Sequence, residues 1–246
     1  DGPGPGVGHG DALGGRGQRR VHLREIQVAQ RHVLEGDLVV GRARLDVELV
    51  ACRVDARPQT GESPEAAARR ARYAALESRL GERAMLFTAH HLDDQSETLL
   101  LQLMRGAGPA GLASMPAIKT FGCGFLVRPL LGFSRQLIGE YAEAHGLSWI
   151  DDPSNADTGF DRNYVRSGVM PAFTRHWPNA TESLSQAASL QQDALEIIEA
   201  MAAIDLAAVA TQQPDSLSIT RLLQLTPARQ YNVLRYWINA AGYDKP

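Results

Sequence analysis

The segment Ala84–Met104 decides the architecture. It opens on AMLFTA, an unbroken apolar run, and passes directly into HHLDDQSETLLLQLM. An apolar run of that length suits a strand covered on both faces, as in a parallel sheet flanked by helices. Leu92, Leu99, Leu100 and Leu103 then fall on one helical face. Acids crowd the junction between strand and helix, and open α/β sheets place their ligands at that end of a strand.

The neighbouring segments extend the pattern. Val47–Val54 (VELVACRV) reads as a short buried strand. Ser63-Pro64-Glu65 reads as a helix start, Ser as cap and Pro at the first position. Ala67 to Leu80 continues that helix and Gly81 ends it. Phe125–Leu131 is a further strand, Ser134 caps a helix running to His145, Gly146 stops it, and Leu147–Ile150 is another strand. Alternation of strands and helices argues for a doubly wound parallel sheet. After Trp177-Pro178 the pattern becomes helical: Thr181–Ala210 is one long helix, and Thr226-Pro227 opens a last one closed by Gly242. We therefore expect an α/β domain over residues 43–178 and a truncated helical domain over 179–246.

The start of the chain differs from the rest. Residues 1–46 hold 10 of the 23 glycines and no Ser, Thr, Asn, Lys, Cys, Met, Phe, Tyr or Trp. Val21–Val40 could supply a strand or short helix, although its apolar positions match neither period well. Residues 1–42 read either as a flexible N-terminal extension or as a wrong-frame translation of G+C-rich DNA, and residues 1–20 are expected to pack against nothing. The scarcity of lysine, only Lys119 and Lys245, fits a G+C-rich coding sequence.

Net charge is −3, so no global basic field advertises nucleic acid, though a local basic patch can still bind it. No apolar run spans a membrane and no signal peptide opens the chain. The first residue is not Met, which fits a fragment. Cys52 and Cys123 stand far apart, with no C-x-x-C; a reducing cytosol fits, and we expect a cytoplasmic protein.

Three groups carry chemistry. His90, Asp93, Asp94 and Glu97 would line the first turns of the helix after AMLFTA. Acids bunched this tightly repel one another and call for a counter-charge: a metal, an ammonium or an arginine. A capping cluster on a solvated turn is the plainer alternative. Hard carboxylates suit Mg²⁺ better than zinc, with Asp93 as the candidate ligand. Arg105-Gly106-Ala107-Gly108 reads as a helix end plus loop, or as a phosphate contact through Arg105. Asp151–Arg166 (DDPSNADTGFDRNYVR) reads as a loop entering a helix that carries Arg162, Asn163 and Arg166: a solvated basic face, or a phosphate or RNA contact. Arg175-His176-Trp177 adds a basic and aromatic group.

Taken together, AHHLDDQSETLLLQLMRGAGPAGLASM, FLVRPLLGFSRQLI and WIDDPSNADTGFDRNYVRSGVMP, in that order and spacing, resemble the tRNA(Ile)-lysidine synthetase family. The match covers about Ala43–Trp177 well and the helical remainder loosely. The resemblance implies an N-type ATP-pyrophosphatase domain with a Rossmann-like α/β sheet, followed by helical domains that grip tRNA. It implies ATP with Mg²⁺, free L-lysine, and a tRNA(Ile) with a CAU anticodon. The C2 oxygen of the wobble cytidine is adenylated, and the lysine amine then displaces AMP to give lysidine. Oligomeric state is left open, a homodimer included.

The resemblance also suggests roles. Asp94 and Glu97 would position lysine and handle its proton, Asp93 and His90 following through Mg²⁺ or motif geometry. Arg105 and Arg128 would meet phosphate or the tRNA backbone. Arg162, Asn163 and Arg166 would stand against the flipped base or its flanking phosphates. One departure is sharp: the family's phosphate-binding S-G-G-x-D-S string does not occur here, and Gly14-Gly15-Arg16-Gly17 lacks its serines and aspartate. No residue is therefore assigned to the triphosphate. Two alternatives stand beside the ligase: a non-catalytic tRNA-binding remnant, and a tRNA-thiolating pyrophosphatase. LDDQSET and the missing C-x-x-C speak against the latter.

Overall fold

The computed structural model describes residues 24–27, 48–149, 155, 157–213 and 215–241. The expectations for residues 1–20 and for Gly242 lie outside them. The chain forms two compact units, 1–79 and 80–246.

In the first unit, β1 (Arg24–Gln27) and β2 (Glu48–Ala51) pair in parallel, Arg24 opposite Glu48 and Gln27 opposite Ala51. The strand within Val21–Val40 is thus β1, and Val47–Val54 contributes β2. Helix α1 (Pro64–Glu77) begins as its sequence dictates: the Ser63 hydroxyl accepts from the Ala66 N–H at 3.2 Å, with Pro in the first turn. Ala67, Ala71 and Leu76 form its buried stripe.

The second unit begins with β3 (Met85–Phe87) and α2 (Leu92–Met104). Helix α2 ends at Arg105, after which Gly106 turns the chain at φ +65°, a conformation glycine adopts without strain. A short α3 (Pro109–Leu112) leads to β4 (Ile118–Phe121) and β5 (Gly124–Val127). Strand β5 is central, parallel to β3 and antiparallel to β4. The α/β class holds, but this sheet is mixed, because a two-residue turn at Gly122-Cys123 folds β4 straight back onto β5. Gly124 lets β5 close up against the start of β3, since a Cβ there would lie 2.3 Å from the Ala84 carbonyl oxygen. The strands are shorter than the apolar runs suggested, and 147–149 form none.

Helix α4 (Arg135–Ala144) follows, with the Ser134 hydroxyl accepting from the Leu137 N–H. Then come α5 (Asp161–Tyr164), a π-helical turn (Val165–Val169) and α6 (Met170–His176). The 30-residue α7 (Ala180–Val209), a short α8 (Ile219–Leu222) and α9 (Pro227–Ala240) complete the unit. Helix α7 packs along α2, α3, α6 and α9. Leu100, Val165 and Met170 are buried together, with Leu101, Phe173 and Leu184 against them. This core fixes α2 against the π-helical turn and α6, and so sets where their polar edges meet. Among the described residues no helix is long and apolar enough to cross a membrane.

Candidate active site

The site grows from the first turns of α2. His91 caps the helix in extended backbone, and its N–H donates to Asp94 Oδ2 at 3.0 Å. The His91 ring lies between two acids: Nδ1 is 3.4 Å from Asp93 Oδ2 and Nε2 is 3.4 Å from Asp94 Oδ2. The close approach of Asp93, assisted by the surrounding acids, raises the His91 pKa, and the same contact lowers that of Asp93. Asp93 Oδ2 also accepts the Arg135 N–H at 2.8 Å, which ties the start of α4 to the start of α2.

Two turns along α2, Glu97 is 2% exposed, an environment that costs an unpaired carboxylate several kcal/mol. Arg166 supplies the partner. Its Nε donates to Glu97 Oε1 at 2.6 Å, its Nη2 donates to Glu97 Oε2 at 2.9 Å, and Nη2 also reaches Asp94 Oδ1 at 3.2 Å. Arg162 Nε stands 3.7 Å from Glu97 Oε2, while its Nη2 donates to the Thr98 hydroxyl at 2.8 Å. Burial nevertheless holds the Glu97 carboxyl above its ordinary pKa, with the pull of Arg166 only partly offsetting it. Beside this cluster an open cavity of about 220 Å³ is lined by Asp93, Glu97, Arg135, Arg166, Thr174 and Thr181, with Met170 and Pro171 as its apolar wall.

Asp93, Asp94, Glu97, Arg162 and Arg166 therefore converge. The other candidates lie apart. His90 Nδ1 hydrogen-bonds the Thr88 hydroxyl at 2.8 Å, at the end of β3. Asn163 Nδ2 donates to the Asp157 carbonyl at 2.8 Å, holding the loop before α5. Arg128 is buried, with Nη1 donating to the Pro116 carbonyl at 2.6 Å. Arg105 is exposed at the far end of α2, roughly 16 Å along the axis from Asp94. Among the described residues no three His, Cys, Asp or Glu side chains gather as a group that could hold a metal ion.

Sequence reasoning missed His91, Thr98 and Arg135. For His91 a signal existed, since it stands three residues before Asp94, as a capping residue does before its reciprocal partner. For Arg135 the signal was its place directly after the capping Ser134, which puts it on the first turn of α4. Nothing in the sequence marked Thr98.

The model of the PP-loop domain matches residues 25–173, and that of the TilS substrate binding domain matches residues 217–246. A tRNA(Ile)-lysidine synthase from Pseudomonas putida is 50% identical over 200 residues, covering 79% of this chain and 46% of the relative. One from Methylococcus capsulatus is 41% identical over 235 residues, covering 95% of this chain and 54% of the relative. One from Coxiella burnetii is 44% identical over 203 residues, covering 82% and 45%. The chain spans about half the length of these curated relatives.

Proposed function

This chain belongs to the PP-loop family, in its tRNA(Ile)-lysidine synthase branch, and on that premise we propose that it ligates free lysine to C2 of the wobble cytidine of a CAU-anticodon tRNA(Ile). The division into residues 43–178 for nucleotide chemistry and 179–246 for tRNA belongs to the same proposal. The observation that carries it is the pair of buried acids Asp94 and Glu97, met by the half-buried Arg162 and Arg166, beside a cavity of about 220 Å³.

The reaction needs two displacements. The C2 oxygen attacks the α-phosphorus of ATP and pyrophosphate leaves. The lysine amine then forms a bond to C2, AMP departs with that oxygen, and the amine gives up a proton. The incoming lysine carries an ammonium, so carboxylates must hold it and one must take the proton. Glu97 suits that role, because burial raises its pKa toward the range where a carboxylate accepts protons usefully. Arg166 holds the Glu97 carboxylate in one plane, and Asp94 on the same guanidinium offers a second acceptor. A carboxylate has about four acceptor positions, so an ammonium can join without evicting the arginine. Arg162, through Thr98 and Glu97, would keep the base side of the site charged. Mg²⁺ would accompany the triphosphate; the described residues form no ligand set for it, and no step here runs through the metal.

The missing S-G-G-x-D-S string favours one second reading, a tRNA-binding protein that does not ligate. Incubation with ATP, radiolabelled lysine and the tRNA(Ile) transcript decides. Lysine-dependent AMP release and label on the tRNA support the ligase. Binding of the transcript with neither product supports the second reading.

A further inference from the structure

The cavity beside Glu97 contains a cation that the acid cluster does not use. Arg166 is committed to Glu97 and Asp94. Arg135 lines the same cavity from the first turn of α4, and among the described residues its guanidinium forms no ion pair. Its backbone is firmly placed: its N–H donates to Asp93 Oδ2 at 2.8 Å, and Ser134 caps the helix beneath it. The cavity thus offers carboxylates and a free guanidinium within one space, with Met170 and Pro171 as an apolar side.

That pairing of charges matches a zwitterion with an aliphatic stem. We infer that Arg135 is the residue that selects a free amino acid, by gripping its α-carboxylate while the acids of α2 take an ammonium. The inference rests on the proposed lysine ligation and adds to it the group that tells free lysine from amines lacking a carboxylate. A guanidinium suits the task because its planar fork meets both carboxylate oxygens at once. The same fork would also accept a phosphate oxygen, so the test must separate the two anions.

Equilibrium binding to the full chain, followed by calorimetry, needs four probes: L-lysine, L-lysinamide, inorganic phosphate and inorganic pyrophosphate. The unmodified chain should bind L-lysine about 10–100-fold more tightly than L-lysinamide, the range expected for one charge-assisted contact. Arg135→Gln should bind both equally, with L-lysinamide affinity unchanged, and Arg135→Lys should restore part of the preference. The unchanged L-lysinamide affinity also shows that the variant is folded. Full discrimination by Arg135→Gln overturns the inference and leaves the ligase reading standing. Loss of phosphate or pyrophosphate binding in Arg135→Gln, with lysine binding intact, overturns it in favour of a nucleotide contact. If the unmodified chain binds neither L-lysine nor L-lysinamide, the inference and the lysine reading fall together.

Discussion

Arg166 holds both carboxylate oxygens of Glu97, at 2.6 and 2.9 Å, across 69 residues of sequence. The counter-charge demanded by the acids of α2 is therefore built into the chain, on the π-helical turn. Neither residue is stable in its place without the other. A buried pair of this kind repays its desolvation only when the geometry is good and the remaining lone pairs are used. Here the third contact, to Asp94, uses one more of the guanidinium's N–H donors.

Removal of both partners should therefore cost less than the two single removals added together. We expect Glu97→Ala to destabilise the fold by about 2–4 kcal/mol, since it strands a half-buried guanidinium. The double variant Glu97→Ala, Arg166→Ala should lose less than the sum of the singles, a coupling that urea titrations of the four proteins would measure. In lysidine formation, Asp94→Ala and Glu97→Ala should each lower the rate roughly 30–1000-fold, as for one ammonium contact at a desolvated site. Transcript affinity should stay nearly unchanged, because both acids are turned inward to Arg166. Near-normal turnover of Glu97→Ala at low lysine would reduce the cluster to a helix cap.

Gln95 gives a prediction about stability alone. It is 3% exposed, and its amide both donates to the Met115 carbonyl and accepts from the Met115 N–H, each at 3.0 Å. Gln192 of α7 donates to the same carbonyl at 3.1 Å. Gln95→Ala leaves a buried N–H unsatisfied and should cost about 1–3 kcal/mol. Gln192→Ala should cost less, because Met115 keeps its Gln95 contacts. Equal melting temperatures for the two variants would contradict this ordering.

Local signals in the chain announced much of this. The Ser63 and Ser134 caps, the strand before α2 and the long α7 follow from residues within a few positions of one another. So did the acid cluster, because its members share one helix. The pairing of Glu97 with Arg166 was not legible, for nothing local says which of 23 arginines meets which acid. The sequence left Arg162 and Arg166 between a solvated basic face and a phosphate or RNA contact; in the fold their side chains meet Glu97, Asp94 and Thr98, partners that no local signal named. The antiparallel β4 was missed because Ile118–Phe121 has too few apolar positions to show a period.

The histidine between Asp93 and Asp94 should make stability depend on pH. Its folded pKa is raised above the ordinary 6.5 by Asp93 and the other acids. Its contribution is thus fully present below about pH 6.5 and is lost as pH rises through the higher folded value. Glu97, also raised, works in the same direction at lower pH, and Asp93, lowered, loses its contribution only as pH falls below 3.8. Between roughly pH 6 and 9 the slope should therefore come mainly from His91. Melting temperatures across that range should fall for the unmodified chain and stay flatter for His91→Asn. Parallel curves for the two proteins would place the proton elsewhere.

Binding of tRNA supplies the last test, and the ion pairs of the site sharpen it. Arg162 and Arg166 already face acids, so they release few counterions when a phosphate approaches. Arg105, at the end of α2, and Arg175, in the last turn of α6, are exposed and form no ion pair among the described residues. Each phosphate neutralised by such a cation contributes about one unit to the slope of log affinity against log salt. We expect Arg105→Ala and Arg175→Ala each to lower that slope by about one, and Arg166→Gln to leave it nearly unchanged. Filter binding of the transcript from low to moderate salt measures all three. A slope that falls for Arg166→Gln but not for Arg175→Ala would mean that the acids release Arg166 when RNA binds, and that the cluster is remade in the complex.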